Sequence, residues 1–409
     1  IGACALSAVA VGLVLLRSLV VLPWFEHVNA WVIPLDAWTP VGAARYVSAG
    51  DVFHLYEPLA GRGGYPYTPG LPILLAPFVA LGDHFHLLGD IAFAHRHPGM
   101  FLVVGPADAV LGTVPVVLAA GLAVQGTSRR RWTVQALVFL TAAWAPVGFL
   151  HPEDSIVTGL LIASCVSIDS ATWRRVGVLA GAALLFKQWA AWPALVCIAL
   201  VPRSKRAQAG FYAYAIPALI LAPFLIASPT TWTSLATTRA TLHFGQPQVW
   251  TSLAFGHAVL ANATFLRAAW GAASLAIALR VRYRPSCDSA LAAMCTIMLA
   301  RLVFEPVVFG YYLVPATAIA LVWCARNGEP LGLRALTSSL LCAFCLVHTF
   351  PSVVFFAILG LALAYVCGPA VRAWWAAAPP RGAERAQGSE GSRGASPPAR
   401  GRVRRSVQV

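Results

Sequence analysis

A few residues stand out because their types can do chemistry where an apolar chain has no need of them. Asp36 lies in Ile33-Pro34-Leu35-Asp36-Ala37-Trp38, beyond the first apolar run. A carboxylate there can take a proton from a sugar hydroxyl that attacks an activated donor; it can equally serve as a solvated loop acid or a helix cap. His151-Pro152-Glu153-Asp154 opens a later apolar run. Proline and two acids suit the first turn of a helix, and the same cluster would face a cavity opening in a membrane. Lys187 interrupts the apolar stretch 176–201 within Phe186-Lys187-Gln188-Trp189. A lysine at mid-membrane depth is a functional hypothesis by default, here as a point charge for a lipid-linked phosphate; the plain alternative is snorkelling to water. Arg301 and Glu305 are four apart and share a helix face, as a structural pair or as a cavity lining. Arg239 and His243 have the same spacing, ahead of Gly245-Gln246-Pro247-Gln248-Val249-Trp250.

Other chemistries find less support. His84, His86, Asp90, His95 and His97 are spaced too loosely for a zinc site, which needs three or four converging ligands. Cys342 and Cys345 sit one helical turn apart inside an apolar run, where thiols serve as small packing groups. No phosphate-binding loop and no dinucleotide glycine pattern occurs. No metal and no cofactor is expected.

The elements that must position these residues follow from composition. Of 409 residues, 59% are hydrophobic and 11% charged, and the mean hydropathy is +0.72. Soluble domains carry about 25% charged residues. So few charges cannot cover a soluble protein of this length, which excludes soluble enzymes, disulfide scaffolds and disordered chains. The reading is an all-α polytopic membrane protein. Full spans are expected over about residues 2–23, 102–124, 133–150, 155–168, 210–227, 264–280, 288–304, 308–325, 334–349 and 351–368, ten in all. The first run is read as a span and not as a cleaved leader. Residues 71–82 are too short to cross. Residues 176–201 are expected to enter and return as two half-helices that turn at Lys187, a form tolerated where it lines a cavity.

The net charge of +14 is spread over short basic turns and the tail, which argues for topology and against nucleic acid. Arg129–Arg131, Arg174–Arg175, Arg203–Arg206, Arg280–Arg284 and the tail should face the cytoplasm. The loops 24–70, 83–99 and 228–262 then lie outside, with the histidines and most candidate residues. Domain 1–368 is the membrane unit. Residues 369–409, rich in Arg, Pro and Gly, are read as a disordered cytoplasmic tail, able to lie against anionic lipid.

Taken together, Asp36, Tyr46, Gly50, Tyr65-Pro66-Tyr67-Thr68-Pro69-Gly70, His151-Pro152-Glu153-Asp154 and Phe186-Lys187-Gln188-Trp189 give the chain a familiar look. It resembles membrane glycosyltransferases of the C-type fold, most closely the bacterial family 87 of polyprenyl-phosphate-sugar-dependent, mannosyltransferase-like proteins, over about residues 1–368. The resemblance implies inverting transfer of a sugar, mannose or similar, from a polyprenyl phosphate to a glycolipid or cell-envelope glycan at the extracytoplasmic face. It implies Asp36 as the base, although no second acid accompanies it and Glu26 or Asp51 are alternatives. Lys187, with Arg239 or Arg301, would offset the phosphate charge. Trp38, Tyr46 and Trp189 would stack on sugars, and His151, Glu153, Asp154, His243 and Glu305 would complete the substrate site. Partners are then the lipid-linked sugar, the acceptor and the bilayer, with no nucleic acid. Two rival readings are a transporter or flippase for a lipid-linked glycan and a non-catalytic envelope-assembly protein.

Overall fold

A computed structural model describes residues 2–19, 38–57, 65–89, 100–227, 263–305, 310–347 and 353–376. Every regular element among them is helical. In chain order they are α1 (Gly2–Leu19), α2 (Trp38–Ser48), α3 (Gly70–His84), α4 (Gly105–Ala123), α5 (Ser128–Ala142), α6 (Pro152–Asp169), α7 (Trp173–Phe186), α8 (Ala191–Leu200), α9 (Arg203–Gly210), α10 (Ile216–Ala227), α11 (Ala263–Val281), α12 (Cys287–Phe304), α13 (Leu313–Arg326), α14 (Gly332–Val347) and α15 (Val353–Ala376). Wider π-helical turns lead into α4, extend α5 through Phe149, and join α9 to α10.

Many large apolar side chains point outward, among them Leu219, Ile226, Phe265, Val354 and Leu361. In water such a surface would associate; in a bilayer it is the contact face. The chain is thus a multi-pass, all-helical membrane protein. The expectation of ten full spans is not met. Among the described residues, five helices are long and apolar enough to cross: Leu102–Ala123, Ser128–Phe149, Arg203–Ala227, Cys287–Phe304 and Val354–Ala376. The other runs give shorter or more polar helices, because hydropathy marks where a run begins and ends but not where its backbone bends. α13, for example, has only 14 residues because a 3-10 turn at Gly310–Tyr312 precedes it. The first residues assigned to the tail, 369–376, are helical. α15 continues through Pro369 to Ala376, where Trp374 donates to the Ile277 carbonyl and Arg280 lies over both Trp374 and Trp375. Packing against α11 holds that turn in place despite the proline. Residues 377–409, the remainder of the proposed tail, lie outside the described set.

The break at Lys187 is present. Lys187 is extended, with φ −149° and ψ 128°. Pro193, in the first turn of α8, lacks the N–H that a continuous helix would donate to the carbonyl of Trp189, so the helix stops and restarts. Its two arms run side by side in opposite directions. The Ser164 hydroxyl is 2.9 Å from the Val176 carbonyl on α7 and 3.1 Å from Cys197 Sγ on α8, and Ala180 and Ala194 share one small buried cluster. At 14 and 10 residues the arms measure about 21 and 15 Å.

The bundle has two chemically different ends. At one, Arg326 bonds Asp288 at 2.5 Å, Asp169 at 2.8 Å and the Ala123 carbonyl at 2.6 Å, and Arg130 reaches the Ala325 carbonyl at 2.9 Å. These bonds gather the ends of α4, α6, α12 and α13 beside the basic turns. The opposite ends of the same helices carry His151, Glu153, Asp154 and Arg301.

Close packing of α4 on α6 sets the depth of that second end. A Cβ on Gly159 would stand 2.5 Å from the Pro115 carbonyl carbon and the Val116 nitrogen. Both are backbone atoms and cannot rotate away. Gly159→Val is therefore expected to cost about 1–3 kcal/mol or more, read as a lowered melting temperature in detergent; an unchanged melt would mean that the two helices separate freely.

Candidate functional site

The site is built where α6 begins, α7 breaks and α12 ends. Leu150 adopts the left-handed conformation at φ +55°, a strained state for a branched residue. It swings the chain from the π turn of α5 into His151 and Pro152. Pro152 starts α6 and needs no N–H there. Glu153 and Asp154 follow in the first turn, 2% and 0% exposed.

Lys187 reaches between them. Its Nζ is 3.1 Å from Glu153 Oε1 and 3.2 Å from Asp154 Oδ2, and it lies 3.5 Å above the ring of Tyr67. His151 Nδ1 meets the same Glu153 oxygen at 3.1 Å, while its ring stacks on Tyr311 at 4.1 Å. Asp154 Oδ1 accepts from the Trp189 indole at 3.1 Å and stands 3.8 Å from Arg301 Nη1. Arg301 Nε contacts Glu305 Oε1 at 3.4 Å. The guanidinium lies against the rings of Tyr312 at 4.1 Å and Trp189 at 4.8 Å. The result is one connected chain of charge: His151, Glu153, Lys187, Asp154, Arg301, Glu305.

A cavity of about 270 Å³ opens on the far side of Arg301. Its walls are Tyr67, Gln188, Trp189, Ala191, Trp192, Arg267, Trp270, Arg301, Glu305 and Tyr312. Arg301 Nη1 is buried and makes no hydrogen bond; its ionic partner is Asp154 Oδ1 at 3.8 Å. Two guanidiniums and one carboxylate line a box of indole and phenol rings. That combination suits an anion joined to an amphipathic ring such as a sugar.

The candidate residues sort as follows. Trp189, Arg301 and Glu305 line the cavity, and His151, Glu153, Asp154 and Lys187 form the sealed cluster behind it. Lys187, 1% exposed, faces the two carboxylates and not the cavity. Tyr46 does not line the cavity; it packs in an aromatic cluster with Tyr56 and Tyr65 that also takes in Tyr67 of the cavity wall. Asp36, Arg239 and His243 fall outside the described residues, as does the side chain of Trp38. Of the His-rich loop only His84 and His86 are described, at the end of α3. Sequence reading passed over Arg267, Trp192, Trp270, Tyr311 and Tyr312. It also passed over Asp108, an acid on α4 that is 2% exposed and within electrostatic reach of Glu153 and His151. Its signal was available, since an acid inside an apolar run marks a site.

For a metal, His151, Glu153 and Asp154 bring ligand atoms within 4.8 Å of one another. The Lys187 ammonium already stands between the two carboxylates, in the position a cation would take.

Fold and site together define a multi-pass helical membrane protein with a buried ion-pair cluster behind an aromatic, cationic cleft. No protein-family profile matches the chain, and no curated protein matches it either.

Proposed function

We propose that this protein transfers a single sugar from a polyprenyl phosphate to a glycolipid or envelope-glycan acceptor at the extracytoplasmic face. One observation carries the reading: a cleft of sugar-phosphate size, walled by Trp189, Trp192 and Trp270, with the guanidiniums of Arg301 and Arg267 in the same wall. Arg301 and Arg267 hold the phosphate, indoles hold the sugar ring, and the polyprenyl chain stays in the bilayer. The basic turns cluster at the opposite end, which by the positive-inside rule faces the cytoplasm and leaves the cleft outside. The sequence resemblance to family 87 supports the same chemistry and makes Asp36 one candidate for the base. No nucleotide takes part. Lys187 acts by holding the cluster behind the cleft.

The test is transfer of radiolabelled mannose from a polyprenyl phosphate into lipid or glycan, in membranes with and without the protein. Transfer is expected to depend on the protein and to fall by about 10²–10³ in Arg301→Gln. Protein-independent incorporation would remove the reading. Transport is the second reading, favoured by the α7–α8 hairpin and its buried charges. It predicts protein-dependent movement of the labelled lipid across vesicles with no new glycosidic bond.

A further inference from the structure

We propose that Glu305 is the proton acceptor of the transfer reaction, a role that rests on reading the cleft as a sugar-phosphate transfer site. Three features of the site lead there.

Reach comes first. A base must meet the acceptor hydroxyl, and Glu153 and Asp154 are 2% and 0% exposed and clasped by Lys187. Glu305 caps the end of α12 with extended backbone, is 14% exposed, and is the one carboxylate lining the cleft among the described residues.

The second feature is charge compensation. Taking up a proton turns Glu305 neutral, which would strand a buried guanidinium if Arg301 had no other counter-charge. Asp154 stands 3.8 Å away on the other side of Arg301. Arg301 therefore keeps an anion beside it in both protonation states of Glu305, and Trp189 and Tyr312 hold it in place meanwhile.

The third is timing. Before reaction, two guanidiniums face one carboxylate at the cleft wall. The acceptor O–H bond breaks and its proton goes to Glu305. The acceptor oxygen forms a bond to the anomeric carbon. The bond from that carbon to the phosphate oxygen breaks, and polyprenyl phosphate leaves with the electron pair. As the phosphate gains charge, Glu305 loses its own, so one negative charge beside Arg301 disappears as another develops on the leaving group.

The experiment uses the full chain in nanodiscs, with radiolabelled mannosyl phosphate on a prenyl chain as donor and citronellyl phosphate as binding probe. Binding is followed by tryptophan fluorescence from the cleft. Glu305→Gln is expected to lower kcat by about 10²–10⁴, while affinity for citronellyl phosphate stays close to wild type. Glu305→Asp should keep measurable transfer. In Glu305→Ala, sodium formate should restore transfer in a concentration-dependent way, as an external carboxylate fills the vacated place; a merely structural role gives no such rescue. Near-normal transfer by Glu305→Gln alongside a dead Asp36→Asn overturns the proposal and gives the proton to Asp36. Loss of transfer and probe binding together in Glu305→Gln, without formate rescue, also overturns it. If wild type binds the probe but forms no product, or does neither, the transfer reading fails and the proposal falls with it.

Discussion

Replacing Lys187 with Met will remove the ammonium between two buried carboxylates and leave Asp154 only Arg301 at 3.8 Å, and the protein is expected to lose about 3–5 kcal/mol of stability. Methionine fills much of the lysine stem volume, so the loss reports charge more than packing. Glu153 and Asp154 sit in the first turn of α6, against Trp189 and under Tyr67, where water does not reach them. Neither can swing to solvent, because Leu150 and Pro152 fix the start of the helix. The second half of the experiment isolates the cause. Glu153→Gln in the Lys187→Met background removes one of the stranded charges, and should recover a good part of the loss. The same Glu153→Gln change in wild type breaks a pair and should destabilise. A sign reversal of this kind between backgrounds is the signature of a direct charge interaction. It is read from thermal melts in detergent of the four proteins in the cycle. Equal effects of Glu153→Gln in both backgrounds would show that Lys187 and Glu153 act independently. Lys187→Arg should fall in between, since a planar fork does not fit a place shaped around an ammonium under a phenol ring.

The same residues show how much the sequence disclosed. Lys187 betrayed the break in its apolar run because its charge has no place at that depth unless a partner meets it. The residues of His151-Pro152-Glu153-Asp154 were visible for the same reason. What stayed hidden was that these two segments meet each other. Their contact comes from the way α7 returns alongside α6 after the turn at Ser170–Thr172, a tertiary fact with no local signature. Reading Lys187 as a phosphate ligand followed from seeing its charge without its counter-ions. The cleft was harder still. Arg267 and Trp270 occupy one face of α11, where an arginine and a tryptophan in an apolar run look like ordinary boundary residues. Trp192 and Tyr312 look like core. They form a wall only because α8, α11 and the start of α13 converge on the end of α12. Among the described residues only five helices have the length and apolarity to cross, since hydropathy is blind to backbone turns such as Gly310–Tyr312.

Arg301 carries the largest expected effect on function. Its guanidinium is 3% exposed, fixed against two rings, and held from one side by Asp154 and from the other by Glu305. That fixation matters more than the charge alone. A preorganised donor does not have to be ordered when the phosphate departs, so its field is available in the transition state at no reorganisation cost. Arg301→Gln keeps an amide donor on a shorter side chain and removes the charge. Arg301→Lys keeps the charge but loses the plane that stacks on Tyr312 and the fork that spans Asp154, Glu305 and a ligand. If position and charge are both required, each variant should lose about 10²–10³ in kcat/KM, and lysine should not rescue. If charge alone matters, lysine should recover most of the activity. Binding separates ground-state from transition-state roles. Citronellyl phosphate affinity should weaken by about tenfold in Arg301→Gln, the loss of one charged hydrogen bond, with the remaining loss appearing in kcat. Stability is the control, because Asp154 retains Lys187 at 3.2 Å when Arg301 is gone. Arg301→Gln should therefore melt closer to wild type than Lys187→Met does. The reverse order would mean that Arg301, and not Lys187, is the cation on which the buried carboxylates depend.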